Sequence, residues 1–196
     1  MASVYNPLSK TLNITTNNNS EKITLGAGCF WCAETAFNHL EGVISAISGY
    51  MGGETLHPTY ETICTGQTGH AEVIQITFNP TVISTREILE IFFTLHNPTQ
   101  LNRQGNDVGT QYRSVIFYHD QEQQKLALKI IDSLNKEQVW SIPVVTEVNE
   151  KTTFYPAEAY HQGYVAKNPN NGYCQAVVTP KLAKFKQTFI NKLKSS

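Results

Sequence analysis

Residues 69–97 constrain the fold more than any other stretch, because they write a strand and a helix back to back. In GHAEVIQITFNP, Glu72, Ile74, Ile76 and Phe78 recur at every second position, the period of a strand with one face turned inward. Ser84 and Glu87 then form a capping box at the head of the helix TREILEIFFTLHN, and Pro98 helps to end it. A chain that joins such a strand to such a helix must bury both apolar faces against each other or against like elements.

The rest of the sequence repeats this alternation. EKITLGAG, from Glu21, reads as a strand whose exit is marked by Gly26 and Gly28. A helix follows with Ala33, Ala36, Phe37 and Leu40 on one face and Gly42 as its stop. VISAISGYMGG reads as a strand running into a loop. After the 69–97 unit comes a long polar loop, PTQLNRQGNDVGTQ, of the kind that is often functional. YRSVIFYHD is a further strand, and Asp120 and Gln123 cap a helix carrying Leu126, Ile130, Ile131 and Leu134. PVVTEV is expected as another strand. Thr179-Pro180 opens a last amphipathic helix with Leu182, Phe185, Phe189 and Leu193 on its inner face. The order predicts an α+β protein: a two-layer α/β sandwich with a ferredoxin-like (split βαβ) plait core and peripheral helices. Residues 1–20, rich in Asn, Ser and Thr, read as a flexible N-terminal arm, and residues 21–196 as a single catalytic domain.

With 196 residues the chain can bury a sizeable core without staples. Its net charge of −1 leaves no basic footprint for nucleic acid. No apolar run is long enough for a membrane span, and the N-terminus has no secretory pattern, so a cytoplasmic protein is expected. In that compartment four cysteines read as thiols, catalytic groups or metal ligands rather than structural disulfides.

The chemistry centres on GAGCFWC, residues 26–32. A thiol at a helix start sees the positive end of the helix dipole, which favours the reactive thiolate, so Cys29 reads as a nucleophile rather than an inert core cysteine. A structural zinc would need two ligand pairs; Cys29 and Cys32 supply one, while Cys64 and Cys174 stand apart. A thioredoxin-like dithiol stays open, although Phe30 and Trp31 between the cysteines would wall the thiol with apolar surface. Such a wall suits a small apolar group, a methyl for instance. Glu72, on the apolar face of its strand, is expected to be desolvated and to hold its proton, which makes it a candidate acid. Tyr60 and Tyr112 are possible hydroxyl donors, but nine tyrosines leave that choice without further warrant.

Six blocks taken together carry a resemblance: GCFWC (28–32), GVISAISGYMGG (42–53), PTYETICTGQTGHAEV (58–73), HNPTQLNRQGNDVGTQYRS (96–114), YPAEAYHQGY (155–164) and NPNNGYC (168–174). In this order they resemble the peptide methionine sulfoxide reductase A family over nearly all of residues 21–185. The resemblance implies reduction of the S epimer of methionine sulfoxide, free or in peptides and proteins, with thioredoxin as reductant and no metal or organic cofactor. It implies that Cys29 is the nucleophile, that Phe30 and Trp31 hold the S-methyl group, and that Glu72 protonates the sulfoxide oxygen. Tyr60 and Tyr112 would hydrogen-bond that oxygen and Asp107 would shape the site. A monomer is expected. The sequence differs from much of the family in three places: Cys32 stands where many members have Gly, QAVVTPKLAKFK replaces a Gly-rich tail with a further cysteine, and Asn97 replaces a common Asp. Cys174, by its GYC context, is expected to resolve the Cys29 sulfenic acid from a mobile loop, with Cys32 as second choice and Cys64 as a buried bystander. A general dithiol oxidoreductase and a non-enzymatic redox or methionine-binding module are the competing readings.

Overall fold

The strand β1 (Glu21–Ala27) runs into α1 (Phe30–Asn38) across a turn made possible by Gly28, whose φ of +82° lies in the left-handed region. The computed structural model describes residues 19–195, so the expected arm over 1–20 falls, but for its last two positions, outside the described residues. After α1 come β2 (Val43–Met51), the short α2 (Tyr60–Cys64), β3 (Ala71–Phe78) and α3 (Thr85–Leu95). The polar loop that follows has structure of its own: a hairpin of β4 (Arg103–Gln104) and β5 (Asp107–Val108), then a single 3₁₀ turn at Thr110–Tyr112. β6 (Ser114–Tyr118), α4 (Gln121–Lys136), β7 (Glu147–Glu150), β8 (Tyr155–Pro156), α5 (Tyr164–Lys167) and α6 (Thr179–Thr188) complete the order.

Six strands form one mostly antiparallel sheet in the order β7-β6-β1-β3-β2-β8, and only β6 and β7 pair in parallel. The alternation along β3 sets its register. Ile74 lies opposite Leu25 of β1 and Ile76 opposite Ala46 of β2, so apolar residues meet across three strands on one face. That face packs against α1 and α3 in a single core that includes Ile23, Phe37, Phe78, Ile88, Phe92 and Ile116. The opposite face, with Met51, Val73, Val115 and Phe117, packs as a smaller cluster against Phe154. Glu72 belongs to the first face and opposes Tyr50, so the sheet itself carries a carboxyl group beneath the start of α1.

The Ser84–Glu87 box forms at the head of α3, and the Asp120 carboxylate accepts from the Gln123 amide at the head of α4. Three expectations need correction. The strand expected over PVVTEV begins only at Glu147, because the Val145 amide donates to the Pro98 carbonyl (2.8 Å) instead of entering the ladder. The last helix ends at Thr188. Phe189 and Leu193 lie beyond it, Leu193 in an isolated bridge with Leu40, yet both pack on the core. α2 has no counterpart in the sequence reading. Its five residues are too few to show a period, and its capping box closes through Thr59 and Thr62 rather than a Glu or Gln. Among the described residues no helix is long and apolar enough to cross a membrane.

Candidate active site

Cys29 is the N-cap of α1, but its side chain caps nothing; the amide of Phe30, without a partner inside the helix, instead donates to Glu72 Oε2 at 3.1 Å. One contact therefore ties the helix start to the sheet and sets a carboxyl group beside the thiol. The glycines on either side of Ala27 allow the approach. A Cβ on Gly26 would lie 2.7 Å from Val115 Cγ1 and 3.1 Å from the Glu72 carbonyl, and one on Gly28 would lie 2.5 Å from Gln104 Cβ. Gln104 is itself held by Asn97, whose amide donates to Gln104 Oε1 and whose carbonyl accepts from Gln104 Nε2. The Asn97 side chain accepts from the Thr99 amide and hydroxyl, bonds that an Asp would make equally well.

A cavity of about 280 Å³ opens over this junction. Cys29, Phe30, Trp31, Tyr60, Glu72, Asp107 and Tyr112 all line it, although they come from five separate places in the chain. Phe30 is also part of the core, at 1% exposure, while Trp31 is half-buried and stacks on Tyr164 with ring centres 3.8 Å apart. Asn171 and Tyr173 complete the lining; sequence reasoning assigned neither a role. Tyr173 donates its hydroxyl to Asp107 Oδ2 at 2.7 Å, which closes one wall. Its only sequence signal is its place beside Cys174.

The electrostatics follow from burial. Glu72, 2% exposed, is held well above the usual carboxylate range, first by desolvation and then by charge on Cys29 and Asp107, against the opposing Phe30 amide. It keeps its proton to higher pH than an exposed carboxylate does. Burial likewise raises the phenols of Tyr60 and Tyr112, which stay neutral donors.

The thiols depart from the helix-dipole expectation. Cys29 is raised well above its usual range, first by the Cys32 sulfur to which it hydrogen-bonds, then by burial, while the Trp31 amide and Tyr173 hydroxyl act in the lowering direction. Cys32 is lowered, first by that same hydrogen bond and, against burial, by Lys181. The two sulfurs thus act on each other in opposite directions. Cys174 is buried and sits not on a loop but in a π-helical turn, Cys174–Val178, that runs straight into α6. It feels the charge of Cys29, as does Cys32 that of Cys174. Cys64, expected to be buried, is exposed, with its thiol against the Tyr60 hydroxyl. Every cysteine is a free thiol.

A buried thiol next to a second one, beside a desolvated carboxyl group and an aromatic wall, defines a thiol-based reductive site on a mixed α/β sheet. Residues 21–193 match the family model described as peptide methionine sulfoxide reductase. The chain is 54% identical over 169 residues to the peptide methionine sulfoxide reductase MsrA of Polynucleobacter asymbioticus, covering 86% of this chain and 89% of that one. Among solved structures it is similar to Mxr1 from Saccharomyces cerevisiae in reduced form, with a TM-score of 0.74, 38% identity and coverage of 79% and 89% of the two chains. It is also similar to the same protein in complex with Trx2, with a TM-score of 0.53, 28% identity and coverage of 74% and 84%. The chain belongs to the peptide methionine sulfoxide reductase family.

Proposed function

We propose that this chain reduces the S epimer of methionine sulfoxide, free or within peptides and proteins, and so repairs oxidised methionine, with thioredoxin returning it to the reduced state. The observation that carries the reading is the shared cavity of Cys29 and the buried Glu72, joined through the Phe30 amide and walled by Phe30 and Trp31. The substrate's S-methyl group sits against Phe30 and Trp31. Tyr60 and Tyr112 donate to the sulfoxide oxygen, and Asp107, fixed by Tyr173, shapes the opposite wall.

Cys29 reacts as its thiolate, the form that the Trp31 amide and the Tyr173 hydroxyl favour. Cys29 attacks the sulfoxide sulfur while Glu72 gives its proton to the oxygen. The sulfur–oxygen bond of the substrate breaks, the hydroxyl passes to Cys29, and methionine leaves as the thioether. Cys29 is then a sulfenic acid and Glu72 a carboxylate. A second thiol condenses with the sulfenic acid and releases water, and a dithiol of the thioredoxin type reduces the disulfide by exchange. We assign the resolving role to Cys174, which is buried within electrostatic reach of Cys29. The hydrogen bond from Cys29 to Cys32 favours Cys32 as the second reading.

The same proposal takes residues 21–196 as one catalytic domain. It reads the four central strands, in the order β6-β1-β3-β2 and all antiparallel, as a split βαβ plait with α1 and α3 as its crossovers. Turnover with thioredoxin, thioredoxin reductase and NADPH tests the function. Consumption is expected with the S epimer and with an oxidised peptide but not with the R epimer. Acceleration of insulin reduction by dithiothreitol without thioredoxin, undiminished by methionine sulfoxide, would instead identify a general dithiol reductase.

A further inference from the structure

The end of α3 and the last helix meet over a second cavity, of about 240 Å³, which shares no lining residue with the candidate active site. Its apolar side is Leu95 from α3, Phe185 from α6 and Phe189 just beyond it. Lys181 and Lys184, three positions apart and so on one face of α6, also line it, as does Asn97; no Asp or Glu does.

The polar groups of this cavity divide into those already bonded and those left over. Gln104 is paired at both ends with the Asn97 backbone. His96 donates from Nδ1 to the Phe92 carbonyl and accepts at Nε2 from the Ser114 hydroxyl, both at 2.7 Å. Burial, against the Phe92 carbonyl and with the charge of Lys181, holds His96 down to about 4, so it is neutral. The hydroxyls of Thr94 and Thr188 donate back to carbonyls of their own helices. The lysine ammonium groups that find an acceptor among the described residues belong to Lys125, Lys136, Lys167, Lys192 and Lys194, not to Lys181 or Lys184. Asn97 accepts with Oδ1 from the Thr99 amide and hydroxyl, at 3.0 and 2.7 Å, so its other end is the Nδ2 donor, which has no acceptor among the described residues. Two cations and one amide donor thus stand unused beside apolar surface, the complement of an anion with an apolar body.

The cavity lies where this sequence departs from much of its family. Lys181, Lys184 and Phe185 belong to QAVVTPKLAKFK, which replaces the Gly-rich tail, and Asn97 replaces a common Asp. An Asp at that position would keep the Thr99 bonds and set a negative charge where the donor now stands.

We propose that the pocket between the end of α3 and α6 binds a small organic carboxylate, with the carboxylate against Lys181, Lys184 and the Asn97 amide and the apolar body against Leu95, Phe185 and Phe189. Both lysines are exposed, so each ion pair is weak by itself, and affinity needs the charge and the apolar body together. The proposal stands apart from the reductase reading.

An NMR titration of the full chain with benzoate at about pH 7 and low ionic strength tests it, read from the Asn97 side-chain amide and the backbone amides of residues 94–97 and 181–189. Saturable shifts, largest at these positions, are expected with a Kd of roughly 1 mM. Benzamide keeps the ring and loses the charge; inorganic phosphate keeps charge and loses the ring. Each should bind the wild type at least about fivefold more weakly than benzoate, a comparison that needs no variant to fold. Asn97→Asp, and Lys181→Gln combined with Lys184→Gln, should each weaken benzoate by about tenfold. Benzamide or phosphate bound as tightly as benzoate overturns the proposal. So does a folded Asn97→Asp with the wild-type affinity, or a wild type whose pocket amides do not shift at about 20 mM benzoate.

Discussion

Replacing Glu72 by Gln separates the proton this residue holds from the bond it makes. In the wild type the carboxyl accepts from the Phe30 amide at 3.1 Å. The amide oxygen of the substituted side chain can accept the same bond, so the start of α1 keeps its partner, but no acidic proton remains. General acid catalysis is worth about 10²–10⁴-fold, so kcat is expected to fall by that factor in Glu72→Gln. Stability moves the other way. Burial holds the proton on folded Glu72 to higher pH than in the unfolded chain, where it ionises around its ordinary value of about 4.3. Its contribution is thus fully present below that pH and is lost as pH rises toward the raised folded value. Each tenfold displacement of the proton equilibrium is worth about 1.4 kcal/mol, or roughly 2–4 °C in Tm for a chain of this size. Glu72→Gln should therefore melt with the wild type near about pH 4 and above it near about pH 8. Glu72→Ala leaves the Phe30 amide without a partner and should lose about 1–3 kcal/mol besides its activity. Steady-state turnover and melting curves across pH supply both readouts. A Glu72→Gln enzyme that keeps more than about a tenth of the wild-type kcat, or a melting difference that does not change with pH, would refute the reasoning.

Gly28→Ala must place a Cβ 2.5 Å from Gln104 Cβ at a φ of +82°. The left-handed conformation alone costs about 1–2 kcal/mol, so denaturant unfolding should show at least that loss, and turnover should fall as Cys29 is displaced. Phe30→Ala removes a ring that is both core and cavity wall, and should lose about 3–5 kcal/mol in the same unfolding assay as well as substrate affinity. Cys174→Ser should still release methionine in a first turnover without reductant but lose thioredoxin-supported cycling; Cys32→Ser should keep both. If Cys32→Ser alone stops the cycling, measured as NADPH consumption, the resolving role passes to Cys32.

How much of this was legible in the sequence differs from residue to residue. The period-two run from Glu72 to Phe78 and the Ser84 box each rest on neighbours in sequence, and both elements stand as read. The same alternation placed Glu72 on an apolar face, and from that its burial and raised pKa follow. PVVTEV misled because a β-rich run says nothing of where its amides go, and a distant carbonyl at Pro98 took one of them. The length of the last helix was overestimated because Phe189 and Leu193 continue its apolar spacing while serving the core from beyond its end. In the site, the helix dipole predicted a lowered Cys29, but the Cys32 sulfur acts on it, and only tertiary geometry shows which of the two thiols is raised and which lowered. Tyr173 acts across 66 residues of sequence, on Asp107, with no period to mark it.

The central claim is that oxygen moves from substrate sulfur to the Cys29 sulfur. It is tested most directly by the intact mass and peptide map of the Cys32→Ser, Cys174→Ser double variant after one exposure to methionine S-sulfoxide without reductant. The account predicts one methionine formed per enzyme and one oxygen gained, trapped on Cys29 as the sulfenic acid. Methionine absent and Cys29 still a thiol, in a variant that remains folded, would contradict it.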